Sequence, residues 1–196
     1  MEKKSTEIRQ EEIKKAVLDI IYTDGLKNLS TRNLAKRISI SEGTIFRHFA
    51  TKQDIILSII KDVQIDFIGS LRSIANSNVE PEERLKRFLC QTVTYLTKNK
   101  GITMLMFSEA TQNNDTVLKE NLLQIFNNQK KLVSKIILDG ITIGNWDESI
   151  PVENMAMLYM GIPRSLNIEL VLNDGEFYID NFCSKMMQLI NKILSK

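Results

Sequence analysis

Between Thr31 and Lys52 the chain concentrates side chains suited to gripping a polyanion and reading a base edge: Thr31, Ser41, Glu42, Thr44, Arg47, His48 and Lys52, with Gly43 and Phe46 among them. Hydroxyls and a carboxylate at the start of a short helix can exchange hydrogen bonds with base edges in a DNA major groove, and an arginine further along can reach a guanine edge or a phosphate. Gly43 has no side chain to hold such a helix away from DNA. Thr31 heads a second short helix, whose N-terminal N–H groups and hydroxyl suit a phosphate, and Lys52 heads a third with a full positive charge. Plainer readings stand beside these. Glu42 can serve only its helix dipole, His48 can be a satisfied helix-end histidine, and Ile45, Phe46 and Phe49 read as core.

Other chemistries lack their parts. His48 is the sole histidine, whereas most metal sites and Ser or Cys nucleophiles need an imidazole. Cys90 and Cys183 stand far apart in the chain with no nearby thiol or imidazole, so neither a disulfide framework nor a zinc cluster is expected, and both thiols read as buried and reduced. No glycine-rich phosphate loop and no Gly-x-Ser-x-Gly elbow is present. An enzyme would have to rely on carboxylates such as Glu109 or Glu169 without a positioned nucleophile. No catalytic residue, metal or cofactor is therefore expected.

The balance of charge supports a polyanionic partner. The 196 residues carry 26 Lys+Arg against 24 Asp+Glu, but residues 1–52 hold 11 against 7. Lys27, Arg32, Lys36, Arg37, Arg47 and Lys52 face only Glu42 within their own segment. With 43% apolar residues the chain can bury the core of one domain or two small ones. No apolar run reaches the roughly 18 residues that would cross a bilayer, and Met1-Glu2-Lys3-Lys4 does not open a signal peptide. A cytoplasmic protein without membrane contact is expected.

The elements that must position these residues read as helices almost throughout. Ile13, Val17 and Ile20 recur at steps of three and four, as do Leu85, Phe88 and Leu89. Thr6 is the expected N-cap of a first helix ending at Gly25; Ser30, Ser41 and Thr51 offer three more N-caps. Thr51-Lys52-Gln53-Asp54 opens a long helix to about Asn76, and Pro81 begins the next, to about Lys98. Gly101 precedes a short helix over about Ile102 to Asn113, and Asp115 can cap a long one stopping near Gly140. A loop over 140–151 leads to helices at Val152–Leu172 and Gly175–Lys196. The expected fold is all-α, about nine helices and no sheet. A helix-turn-helix domain spans 6–52, with its motif at about 30–49, and an effector and dimerisation domain spans 53–196.

Within the motif, Ala35 supplies the small residue at the helix crossing, Ser39 the turn residue of unusual φ, and Ile40 with Ile45 the apolar lock. Ile13-x-x-Ala16, Gly25-Leu26, Leu34-Ala35, Ile40-Ser41-x-Gly43-Thr44-Ile45-Phe46-x-His48-Phe49 and Lys52 together resemble the DNA-binding domain of the tetracycline-repressor (TetR-type) family over roughly residues 8–60. The resemblance implies that Thr31, His48 and Lys52 face phosphates. It also implies a tyrosine hydroxyl on a phosphate where this chain has Phe46. It further implies that the remaining helices bind a ligand and form a dimer.

All methionines after Met1 lie beyond residue 100, and this adaptable side chain suits a cavity of irregular shape. Phe67, Phe88, Tyr95, Met104, Phe107, Phe126, Met157 and Met160 are candidates to line a site for an apolar or amphipathic effector. Glu109 and Arg164, charges set in apolar stretches, can anchor its charged end or pair with each other. Pro163 should kink its helix or end it early. Phe182, Met186, Leu189, Ile190 and Ile193 form one apolar face, suited to a homodimer through the last two helices. The expected function is a DNA-binding transcriptional regulator, read as a repressor that a small molecule releases from a pseudo-palindromic operator. The alternative is a helical small-molecule binding or adaptor protein with a vestigial helix-turn-helix.

Overall fold

A computed structural model describes residues 5–112, 116–173 and 181–195, with all side chains in them except those of Phe107 and residues 109–112. Among the described residues every regular element is helical: α1 (Thr6–Thr23), a 3-10 turn (Leu26–Asn28), α2 (Thr31–Arg37), α3 (Glu42–His48), α4 (Lys52–Asp62), α5 (Ile68–Ala75), α6 (Pro81–Lys98), α7 (Ile102–Gln112), α8 (Thr116–Thr142), α9 (Val152–Leu172) and α10 (Phe182–Leu194). A π-helical stretch, Val63–Phe67, joins α4 to α5. Counted as one rod, α4 and α5 bring the helices to the expected nine.

Local signals explain most boundaries. Ser30, Ser41 and Thr51 each cap a helix through the side-chain oxygen. Thr51 and Asp54 do so reciprocally, each side chain bonding the other's backbone N–H. Other boundaries moved. Ser5, not Thr6, caps α1, and α1 ends at Thr23, leaving Gly25 at φ 82° as the entry to the 3-10 turn. The α8 helix runs past Gly140 to Thr142 because Trp146 folds back onto Gly140, where a Cβ would lie 2.2 Å from the indole. Gly144, at φ 80°, makes the turn instead. The π stretch interrupts the helix expected to run to Asn76, which is the C-cap of α5. Pro163 does not end α9, which continues to Leu172. Its missing N–H removes the helical donor of the Tyr159 carbonyl, and the Arg164 guanidinium donates to the neighbouring carbonyl, that of Met160. Asn113, Asp115 and Gly175 lie outside the described residues.

The helices pack as two units. The first holds residues up to Gln64 with Asn99–Leu122, the second Ile65–Lys98 with Leu123 onward. In the first, α1 is central and packs on α2, α3, α4 and α7 through Ile13, Ala16, Val17, Ile20 and Ile21. Each of the larger of these side chains contributes about 1.5–3 kcal/mol by leaving water. Lys14 on the same face is buried and ion-pairs with Asp62 and Glu11. Burial works against its ammonium, but Asp62 and then Glu11 outweigh that and hold its pKa above the usual lysine value. In the second unit, α6 packs on α5, α9 and α10.

Candidate nucleic-acid interface and effector site

The interface is built on α2, α3 and the turn between them. Ser39 turns the chain at φ 54°, the positive value expected there, and Ile40 N–H donates to the Ala35 carbonyl at 3.0 Å. The α3 helix is held from one side only: Ile45 is 1% and Phe49 7% exposed. Ser41, Glu42, Gly43 and Arg47 stand on the exposed side with Thr44 half-buried. Phe46 joins them at 49% exposure, which corrects its reading as core. It sits one position after Ile45 on a helix with a single buried face, so it must turn outward.

Hydrogen bonds order this surface. Ser41 Oγ accepts from Thr44 N–H at 3.2 Å and lies 2.9 Å from Thr44 Oγ1. Arg47 donates to that same hydroxyl at 3.1 Å. Thr31 Oγ1 donates to a Glu42 carboxylate oxygen at 2.7 Å. Glu42 thus ties the starts of α2 and α3 together, a role neither earlier reading gave it. A Cβ on Gly43 would meet only Ser41 Oγ, at 3.9 Å, so nothing inside the fold requires glycine there. His48 is half-buried, its carbonyl accepts from Gln10 on α1 at 3.1 Å, and its Nδ1 is buried without a hydrogen-bond partner. Lys52 is exposed at the start of α4.

Arg37 leaves the basic group. Asp19 of α1 and Asp24, the residue that caps its C-terminus, ion-pair with it, and hydrogen bonding chiefly to Asp19 raises its pKa. Sequence spacing could not show this, because the partners lie on another helix. Gln10 went unnoticed for the same reason.

The candidate effector residues divide between the units. Met104, Phe107 and Glu109 are on α7 in the first unit, and the side chains of Phe107 and Glu109 lie outside the described residues. In the second unit Phe67 stacks on Tyr95, centroids 4.1 Å apart, and Phe88 meets Tyr159 edge-on. Met160 is buried, but Met157 is 49% exposed on the outer side of α9. Arg164 packs over the Phe126 ring at 5.4 Å and donates to Gln129 Oε1 at 3.2 Å. Burial lowers its pKa. Its partners among the described residues are all neutral. Gln129, buried midway along α8, was not apparent as a polar partner in the sequence.

Comparison with known proteins decides the family. Residues 13–59 match the group described as "Bacterial regulatory proteins, tetR family", and residues 61–193 match "YsiA-like protein, C-terminal region". The chain belongs to the tetR family. Its relatives include the Fatty acid metabolism regulator protein of Bacillus subtilis (strain 168), 20% identical over 175 residues, 89% of this chain and 90% of that one. Nucleoid occlusion factor SlmA of Actinobacillus pleuropneumoniae (serotype 5b, strain L20) is 24% identical over 127 residues, 64% of this chain and 63% of its own length. The chain therefore spans less than two thirds of that relative. Among solved structures, the fatty acid degradation regulator FadR of Bacillus halodurans has a TM-score of 0.78 at 18% identity, covering 97% of both chains. FadR of Bacillus subtilis in complex with stearoyl-CoA has 0.73 at 19%, covering 92% of this chain and 96% of the other. These confirm the all-α tetR fold. As a member of the tetR family this chain is a DNA-binding transcriptional regulator, and its family and neighbours are regulators, not enzymes. Among the described residues no helix is long and apolar enough to cross a membrane.

Proposed function

We propose that the chain is a homodimeric repressor acting on a pseudo-palindromic operator in the cytoplasm and released from it by an amphipathic small molecule. The helix-turn-helix within residues 6–52 reads DNA; residues 53–196 bind the effector and form the dimer. Gly43 carries this reading furthest. It sits exposed at the start of α3 with open space around it, so its small size serves a surface outside the chain. A DNA backbone or base edge fits that demand. Ser41, Glu42 and Thr44 are the readers, Arg47 reaches a guanine edge or a phosphate, and Thr31, His48 and Lys52 contact phosphates. In this arrangement Thr31 exchanges Glu42 for a phosphate oxygen when DNA arrives. Phe46 supplies a ring in place of a hydroxyl.

For the effector, Arg164 is the anchor. A half-desolvated cation whose partners among the described residues are neutral gains from an anionic group, and Phe67, Phe88, Tyr95, Phe126 and Met160 supply apolar surface in the same unit. A relative was solved with stearoyl-CoA, so long-chain acyl-CoA is the first compound to try. Met104, Phe107 and Glu109 on α7 remain effector candidates of the first unit, considered by itself. Dimerisation rests on the outward apolar residues of α9 and α10, Leu158, Ile168, Leu172, Leu189 and Ile193. The mechanism is population shift: an effector that favours one spacing of the two reading heads lowers operator affinity by its differential binding.

The test is fluorescence anisotropy across a salt series, comparing DNA upstream of the chain's own coding region, or a duplex selected from random sequence, with a scrambled duplex. The expected result is selective binding of two chains per duplex, weakened by stearoyl-CoA. Equal, salt-labile binding to selected and scrambled DNA would overturn it in favour of the helical binding or adaptor protein.

A further inference from the structure

Two thiols that sequence distance separates are neighbours in the fold. Cys90 on α6 and Cys183 on α10 are in side-chain hydrogen-bond contact, correcting the expectation that neither has a thiol nearby. The packing of α6 on α10 agrees with this contact. Asn191 of α10 donates to Glu82 of α6, eight residues along each helix from the cysteine pair in opposite directions. Equal spacing in opposite directions is what antiparallel packing of α6 against α10 gives. Cys183 falls on the same stripe of α10 as Met187, Ile190 and Leu194, all buried. It is about a quarter turn from Ile193 and a third of a turn from Leu189, on the outward face. Both cysteines are half-buried residues.

We propose that Cys90 and Cys183 form a reversible intrachain disulfide on exposure to a hydroperoxide, stapling α6 to α10 and giving the regulator an oxidant input separate from its effector. The roles of the two sulfurs differ. Burial, and then the Cys90 contact, push the Cys183 thiol up to about 12, so it stays protonated and donates its S–H to Cys90. Cys90 is thus the sulfur that meets the peroxide and Cys183 the one that resolves the product. The Cys90 thiolate takes the distal oxygen of the hydroperoxide, the O–O bond breaks, and water or alcohol departs with the proton. Cys183 then attacks the Cys90 sulfenic sulfur, and hydroxide leaves with the Cys183 proton as water. The sum is two thiols and one peroxide giving one disulfide and two molecules of water or alcohol and water.

The pair lies within one packing unit and its chemistry does not depend on the operator or acyl-CoA readings. The test uses the full chain, reduced and then exposed to hydrogen peroxide, with remaining thiols blocked by maleimide and peptides mapped without reductant. The expected product is monomeric in the covalent sense, lighter by about 2 Da, linked Cys90 to Cys183 and restored by dithiothreitol. Repeating the oxidation in guanidinium should slow linkage at least about tenfold, because the register that pairs the sulfurs is lost. In Cys183→Ser a sulfenic acid should persist on Cys90 and react with dimedone; in Cys90→Ser the remaining thiol should resist peroxide. Unchanged thiols after peroxide, linkage between chains, sulfinic acid without a disulfide, or equal rates folded and unfolded would each overturn the proposal.

Discussion

Arg37 and Arg47 stand ten residues apart with the same charge, yet their surroundings give them different work. Arg37 is fastened to Asp19 and Asp24, while Arg47 stands exposed on α3 with a single bond to Thr44. Replacing Arg47 by Ala should weaken operator binding and reduce the slope of log K against log salt by about 1, as for the loss of one phosphate contact. Replacing Arg37 by Ala should leave that slope unchanged and lower the thermal midpoint slightly. A shared slope change would put both arginines on DNA. The sequence disclosed both cations but not their pairing, because periodicity along a helix carries no information about which other helix lies alongside. The outward turn of Phe46 was readable, since Ile45 already occupied the buried side of a two-turn helix. Its aromatic character alone had suggested core.

Elements were legible where a local signal ends them and illegible where packing does. The N-caps Ser30, Ser41 and Thr51 and the span Val152–Leu172 agree with their sequence signals. The π stretch at Val63–Phe67 has no turn or breaker residue to announce it. Gly101 shows the difference between a separator and a contact: a Cβ there would lie 2.2 Å from the Leu18 carbonyl oxygen, so α7 begins against the backbone of α1. Gly101→Ala should cost about 1–3 kcal/mol or more in urea denaturation, since backbone cannot yield as a side chain can. Gly69→Ala, where a Cβ meets nothing within 4 Å, should be neutral or slightly stabilising. Equal effects would remove the α1–α7 contact as the cause. In the second unit, buried Arg84 donates to the Ala75 carbonyl at 2.9 Å and to Asp139 at 2.7 Å, with Lys135 on the same carboxylate at 2.8 Å. Burial disfavours the Asp139 carboxylate, but Lys135 and Arg84 outweigh it and hold its pKa below the ordinary value. A depressed folded pKa means stability present above the unfolded pKa and lost as pH falls through the folded one. The urea midpoint should therefore fall below about pH 4, and Asp139→Asn should flatten that decline while lowering the plateau. An acid limb as steep as the parent's would assign it to other carboxylates.

At the scale of the whole molecule, one chain presents one reading head, and a pseudo-palindromic operator requires two. In the proposed dimer the exposed residues of α9 and α10 recruit the second. Leu172 is 77% exposed, and Leu158, Ile168, Leu189 and Ile193 are each more than half exposed, while Met155, Tyr159, Met160, Leu166, Met187, Ile190 and Leu194 of the same helices are buried. The apolar face expected on the last helix is thus two faces, with Ile190 turned into the core and Leu189 and Ile193 outward. A monomer in water gains nothing from leaving large apolar side chains exposed along both helices. A two-fold axis beside these helices would bury them in a four-helix bundle against their own copies. Ile168→Glu with Ile193→Glu places like charges on both sides of that axis without entering the core, so helical content and the denaturation midpoint at low protein concentration should be preserved. Sedimentation velocity at micromolar concentration should then show a monomer where the parent sediments as a dimer. Operator affinity should fall by about 10²- to 10⁴-fold, the loss expected when the second half-site is no longer tethered. Binding to a single half-site should remain unchanged. A variant that stays dimeric, or a parent that is already monomeric, would move the axis off α9 and α10 and with it the assignment of which surface sets the separation of the reading heads.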